Sequence, residues 1–134
     1  MTLLVMDEDL MPVARAIAPG ATVIGMADLV AHSGPVFALG YAEGADRAAT
    51  MLLAQPGVLA GAVLLRPTLI PAPEPLPELA GLPVLAIPGR DSSHAVPQLL
   101  AKAGAAVDLA VQDADEFLVP QDFALAKRWL AQFA

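Results

Sequence analysis

Short apolar runs recur along this chain without the polar alternation of a half-exposed strand, and helical patterns separate them. Residues 3–6, 21–25, 36–40, 62–65, 84–87 and 107–111 read as strands. Residues 10–18, 43–55, 94–103 and 120–133 read as helices. A strand that is apolar on both sides needs cover on both faces. Strands of that kind alternating with helices specify a parallel sheet between two helical layers. The expected architecture is therefore α/β, with three α/β/α layers and six strands.

Local signals bound the elements. Asp9 is placed to cap the first helix, and Pro12 sits in its first turn, where a missing N–H costs nothing. Pro19-Gly20, Pro56-Gly57 and Gly104 stop helices. Trp129 and Leu130 mark the buried side of the last one. Residues 66–83 hold Pro67, Pro71, Pro73, Pro75, Pro77 and Pro83, which forbid a regular helix and imply an extended, semi-rigid connection. At 134 residues, too little chain flanks that segment for two domains, so one domain over residues 1–134 is expected.

Composition excludes several classes. The chain is 57% hydrophobic and only 16% charged, far from a disordered composition. No apolar run is long enough to span a bilayer before Pro, Gly or a charge interrupts it. Seven Lys and Arg against fourteen Asp and Glu give a net charge of −7, which disfavours nucleic acid. With no cysteine, disulfides, thiolate metal sites and a Cys nucleophile are absent. The first residues lack a basic leader with an apolar core, so a cytoplasmic location is the default expectation.

The most informative element is the strand–turn–helix Leu39-Gly40-Tyr41-Ala42-Glu43-Gly44-Ala45. It keeps the frame of the nucleophile elbow, Gly-x-Ser-x-Gly, with Ala42 at the serine position. Further segments accompany it. Leu59-Ala60-Gly61-Ala62-Val63-Leu64-Leu65-Arg66-Pro67 follows as a strand. Leu82-Pro83-Val84-Leu85 leads to Gly89-Arg90-Asp91. Ala103-Gly104-Ala105-Ala106-Val107-Asp108-Leu109 is followed by Leu118-Val119-Pro120-Gln121-Asp122. With these residues the chain resembles a shortened member of the α/β-hydrolase superfamily, of the phospholipase/carboxylesterase type. The resemblance implies the strand order 2-1-3-4-5-6.

It also implies which catalytic groups are missing. Ala42 stands at the serine, Asp91 at the triad acid, and Glu116 at the histidine, or Asp115 with a shift of one. The histidine- and glycine-rich loop after the first strand is deleted, since Met6 runs directly into Asp7-Glu8-Asp9. Ser–His–Asp chemistry needs a hydroxyl, a base and preorganised donors. The expectation is a non-catalytic hydrolase-like protein that acts by binding or self-association. One alternative is a carboxylesterase-like hydrolase with a non-standard or metal-assisted site. Another is a small-molecule binding module that uses the former substrate cleft.

Candidate ligand-binding residues are Tyr41, Ala42, Glu43, Asp91, Glu116 and Phe117, with Tyr41 and Phe117 plugging the vacated site. Asp7, Glu8, Asp91 and Glu116 could together offer oxygen ligands to a hard cation. More simply, they are polar residues at loop ends and helix starts, and Arg66 and Arg90 are expected to pair with such acids. Ser92 and Ser93 are expected to solvate a loop and cap the helix after it. No cofactor is implied.

The abundance of apolar residues bears on association. The connection over residues 26–34 is nine residues, short for a parallel crossover. The proline segment stands where a covering helix belongs. Uncovered apolar surface marks interfaces, so a homodimer, or a dimer that exchanges a strand or helix, is expected.

Overall fold

The computed structural model describes residues 1–32, 34–114 and 117–133. Its six strands are β1 (Thr2–Val5), β2 (Thr22–Ile24), β3 (Val36–Tyr41), β4 (Gly61–Leu65), β5 (Pro83–Ile87) and β6 (Ala106–Leu109). All neighbours pair parallel, in the order β2-β1-β3-β4-β5-β6. The architecture and order are those expected from the sequence.

The period of two along each strand sends alternate side chains to opposite faces. Leu4, Ala38, Leu64 and Val84 pack under α3 (Glu43–Ala54) and α4 (Ala95–Lys102). Leu3, Val5, Leu39, Val63 and Ile87 pack under α1 (Met11–Ile17) and α5 (Pro120–Ala131). Trp129 on α5 stacks edge-on against Phe37 with ring centroids 6.0 Å apart. No helix among the described residues is long and apolar enough to cross a membrane.

The short connection expected between β2 and β3 carries a single helical turn, α2 (Met26–Leu29). Two local expectations need correction. Asp9 lies inside a 3-10 turn, Glu8–Leu10, rather than capping α1, which starts only after Leu10. The proline segment does not leave its face bare. It lays Ile70 and Leu79, 9% and 5% exposed, onto the same core as α3 and α4. Asp46 on α3 anchors its start by accepting the Thr68 N–H at 2.8 Å and the Thr68 hydroxyl. Its end is tied to the close of α4 by Leu79 N–H to Ala103 O and Gly81 N–H to Gly104 O, each 2.8 Å. An extended strap thus does the covering work of a helix.

Candidate functional site

At the carboxyl end of β3 the chain turns sharply into α3, with Ala42 at the tip. Ala42 has φ 52° and ψ −114°, a region that an L side chain rarely occupies. The main chain holds it there. Its N–H donates to Leu65 O at 2.9 Å, and its carbonyl accepts the Asp46 N–H at 3.0 Å. The flanking glycines permit the turn for separate reasons. A Cβ on Gly40 would lie 2.4 Å from the Gly44 carbonyl carbon, so Gly40 lets strand and helix close together. A Cβ on Gly44 would lie 2.1 Å from Asp7 Oδ2.

Asp7 follows β1 and aims its carboxylate at this junction. Oδ2 accepts the Tyr41 N–H at 2.9 Å. Oδ1 lies 3.8 Å from Arg47 Nη2, which also donates to Met6 O at 2.9 Å. The short Met6-Asp7 turn is therefore pinned to α3 by one carboxylate and one guanidinium. Glu8 is exposed in the following 3-10 turn. The cation option over Asp7, Glu8, Asp91 and Glu116 gains nothing from this. Among the described residues no three His, Cys, Asp or Glu side chains gather around a common point. Glu116 and the alternative Asp115 lie outside the described residues.

Arg66, just past β4, also has positive φ, 51°. Its side chain turns inward, 3% exposed. Nη1 donates to Asp122 Oδ1 at 3.0 Å and Ile87 O at 2.9 Å. Nη2 donates to Asp122 Oδ2 at 2.9 Å and Phe117 O at 3.0 Å. Asp122 Oδ2 also accepts the Val119 N–H at 2.7 Å, closing the first turn of α5. Arg66 and Arg90 both pair with acids, but among the described residues these are not the acids of the site. Arg66 takes Asp122, and Arg90 takes Asp113 at 2.5 Å on the surface. Asp122 escaped notice because an acid near a helix start reads as a cap or a dipole partner.

These elements border an open cleft of about 460 Å³. Tyr41, Ala42, Arg66 and Thr68 line it together with Asp91 and Ser92 from the loop after β5. Tyr41, Ala42 and Asp91 therefore do come together. Glu43 is exposed and not part of this wall. Phe117 does not plug the site, as the residue is 72% exposed while its carbonyl accepts from Arg66. The two serines serve their own loop, as expected. Ser92 Oγ donates to Gly89 O at 2.9 Å, and Ser93 Oγ accepts the Ala95 N–H at 3.1 Å. Thr68 was missed, since nothing in a proline-rich connection marks which residue will face a cleft. Chemically, the turn presents a methyl group where the elbow pattern has a nucleophile, in a cleft also lined by the exposed Asp91.

Known proteins resemble this chain in sequence or in fold. The Bacillus subtilis (strain 168) protein named "Putative hydrolase MhqD" is 32% identical over 105 residues, covering 73% of this chain and 52% of that protein. The chain thus spans about half the length of that relative. A carboxylesterase from Mesorhizobium loti superposes with TM-score 0.79 at 24% identity, over 97% of this chain and 88% of its own. The Bacillus cereus carboxylesterase superposes with TM-score 0.83 at 22% identity, over 98% and 87%. No protein-family model matches the chain.

Proposed function

We propose that this chain, which has the α/β-hydrolase fold, is a non-catalytic relative of the carboxylesterases that acts by binding or by self-association. The observation that carries the reading is Ala42. It sits at the tip of a strained strand–helix turn, φ 52° and ψ −114°, where the hydrolase pattern puts serine. A methyl group has no proton to lose and no lone pair to attack with, so an acyl-enzyme cannot form there. Asp7 adds to it. Its carboxylate sits against Gly44 and takes the Tyr41 N–H, so the turn after β1 sets an acceptor rather than a donor beside the elbow. The cleft between Tyr41 and Asp91 stays open, and in this reading it is the place where a small polar molecule binds.

The test is hydrolysis of short p-nitrophenyl esters by purified protein, with and without EDTA. The expected result is no release above buffer for wild type and for Asp91→Ala. Turnover by wild type that Asp91→Ala abolishes would overturn the reading in favour of a non-standard hydrolase. Turnover that EDTA abolishes would overturn it in favour of metal assistance. A ligand whose stabilisation of the protein is lost in Tyr41→Ala and Asp91→Ala would support the cleft as a binding site.

A further inference from the structure

The sheet ends at β6, and the edge is longer than the strand itself. Pairing with the β5 segment continues to Gln112 through a parallel bridge to Gly89. Along it the N–H groups of Ala106, Ala110 and Gln112 donate inward to Leu82, Ala86 and Pro88 carbonyls at 2.9 Å. The alternate residues Val107, Leu109 and Val111 therefore turn their N–H and C=O outward. No strand lies beyond β6 among the described residues. Leu109 and Val111 are 51% and 47% exposed, and neither a lysine nor a proline blunts this edge. The opposite edge, β2, is only Thr22–Ile24.

We infer that this edge pairs antiparallel with the same edge of a second copy, on a two-fold axis through Leu109. The choice of occupant comes from the register. The outward run Val107-x-Leu109-x-Val111 is palindromic about Leu109. Antiparallel self-pairing there sets Leu109 against Leu109 of the second copy and Val107 against its Val111. Six apolar side chains then share one face, as an isologous contact requires. The same register sets Asp108 against Ala110, so no carboxylate faces another across the pair. Asp108 is otherwise engaged, accepting Trp129 Nε1–H at 2.8 Å. The pairing satisfies the outward main-chain groups and covers the exposed leucine and valine. It rests on the self-association part of the proposed reading and is independent of what the cleft does.

Light scattering and directed cross-linking test it, helped by a chain with no native cysteine. Facing residues that exchange main-chain hydrogen bonds lie about 5.5 Å apart at Cα, inside the disulfide range. Leu109→Cys is expected to oxidise to a covalent dimer at least about tenfold faster than Thr22→Cys at the other edge. Wild type is expected to be dimeric. Leu109→Lys, which charges the contact, and Leu109→Pro, which removes only an outward N–H, are expected to be monomeric with near-native melting. A dimeric wild type whose Leu109→Cys cross-links no faster than Thr22→Cys overturns this interface and leaves self-association standing. A wild type that is monomeric at about 100 μM overturns both.

Discussion

Arg66 and Asp122, 56 positions apart in sequence, meet as a two-pronged ion pair with side chains 3% and 0% exposed. The guanidinium also holds the carbonyls of Ile87 and Phe117, so one residue ties the ends of β4 and β5 to the start of α5. Removing one partner of such a pair strands a charge in the interior. Asp122→Ala is expected to cost about 3–5 kcal/mol in urea unfolding. Arg66→Met combined with Asp122→Ala is expected to cost less than the two single losses added. A loss below about 1 kcal/mol for Asp122→Ala would mean that the pair is solvated.

The two elbow glycines are predicted to rank by what their Cβ would strike. Gly40→Ala meets main chain of α3, which cannot step aside, and is expected to cost about 3 kcal/mol or more. Gly44→Ala meets the Asp7 carboxylate, which can swing away at the loss of its bond to Tyr41 N–H. About 1–3 kcal/mol is expected there, shrinking markedly in an Asp7→Ala background. Equal effects of Gly44→Ala in both backgrounds would contradict the contact.

Ala42→Gly is expected to stabilise the protein. Side chains at such backbone angles cost on the order of 1–3 kcal/mol, against about 0.5–1 kcal/mol for the extra freedom of glycine when unfolded. A net gain near 1 kcal/mol, read as a rise in melting temperature, is the outcome to look for. A fall would mean that the methyl group packs better than its strain costs.

The strap makes a contrast between neighbours. Leu79→Ala, at 5% exposed, is expected to lose about 2–4 kcal/mol, as a core position does. Leu69→Ala, at 70% exposed, is expected to change stability by less than about 0.5 kcal/mol. Similar small effects at both would show that the strap merely lies on the surface.

Much of the fold is legible in local patterns. The strand at 84–87 extends one residue to Pro83–Ile87, and that at 107–111 shifts to Ala106–Leu109, because pairing rather than hydropathy sets the ends. The helix expected over 10–18 is α1, Met11–Ile17, entered through a 3-10 turn over Glu8–Leu10. The elbow is legible because a tight turn with close backbone approach admits few residues besides glycine at its flanks. The partner of Arg66 is not legible, since any of several acids could have met it. Nor is the exposure of Phe117, which depends on where its carbonyl is pulled.

The order of the strands was implied by the resemblance to the α/β-hydrolases, whereas the layers that sandwich them and the presence of a methyl group at the elbow tip are properties of the sequence. They depend on which side chains must leave water and which backbone angles each residue tolerates, and both are local. The ion pair of Arg66 with Asp122, the turn of Asp7 onto Tyr41 and the docking of Ile70 and Leu79 were decided only by the tertiary structure. Each requires groups far apart in the chain to arrive at hydrogen-bonding or van der Waals distance. The packing of the sheet and helices sets that distance, and no local pattern encodes it.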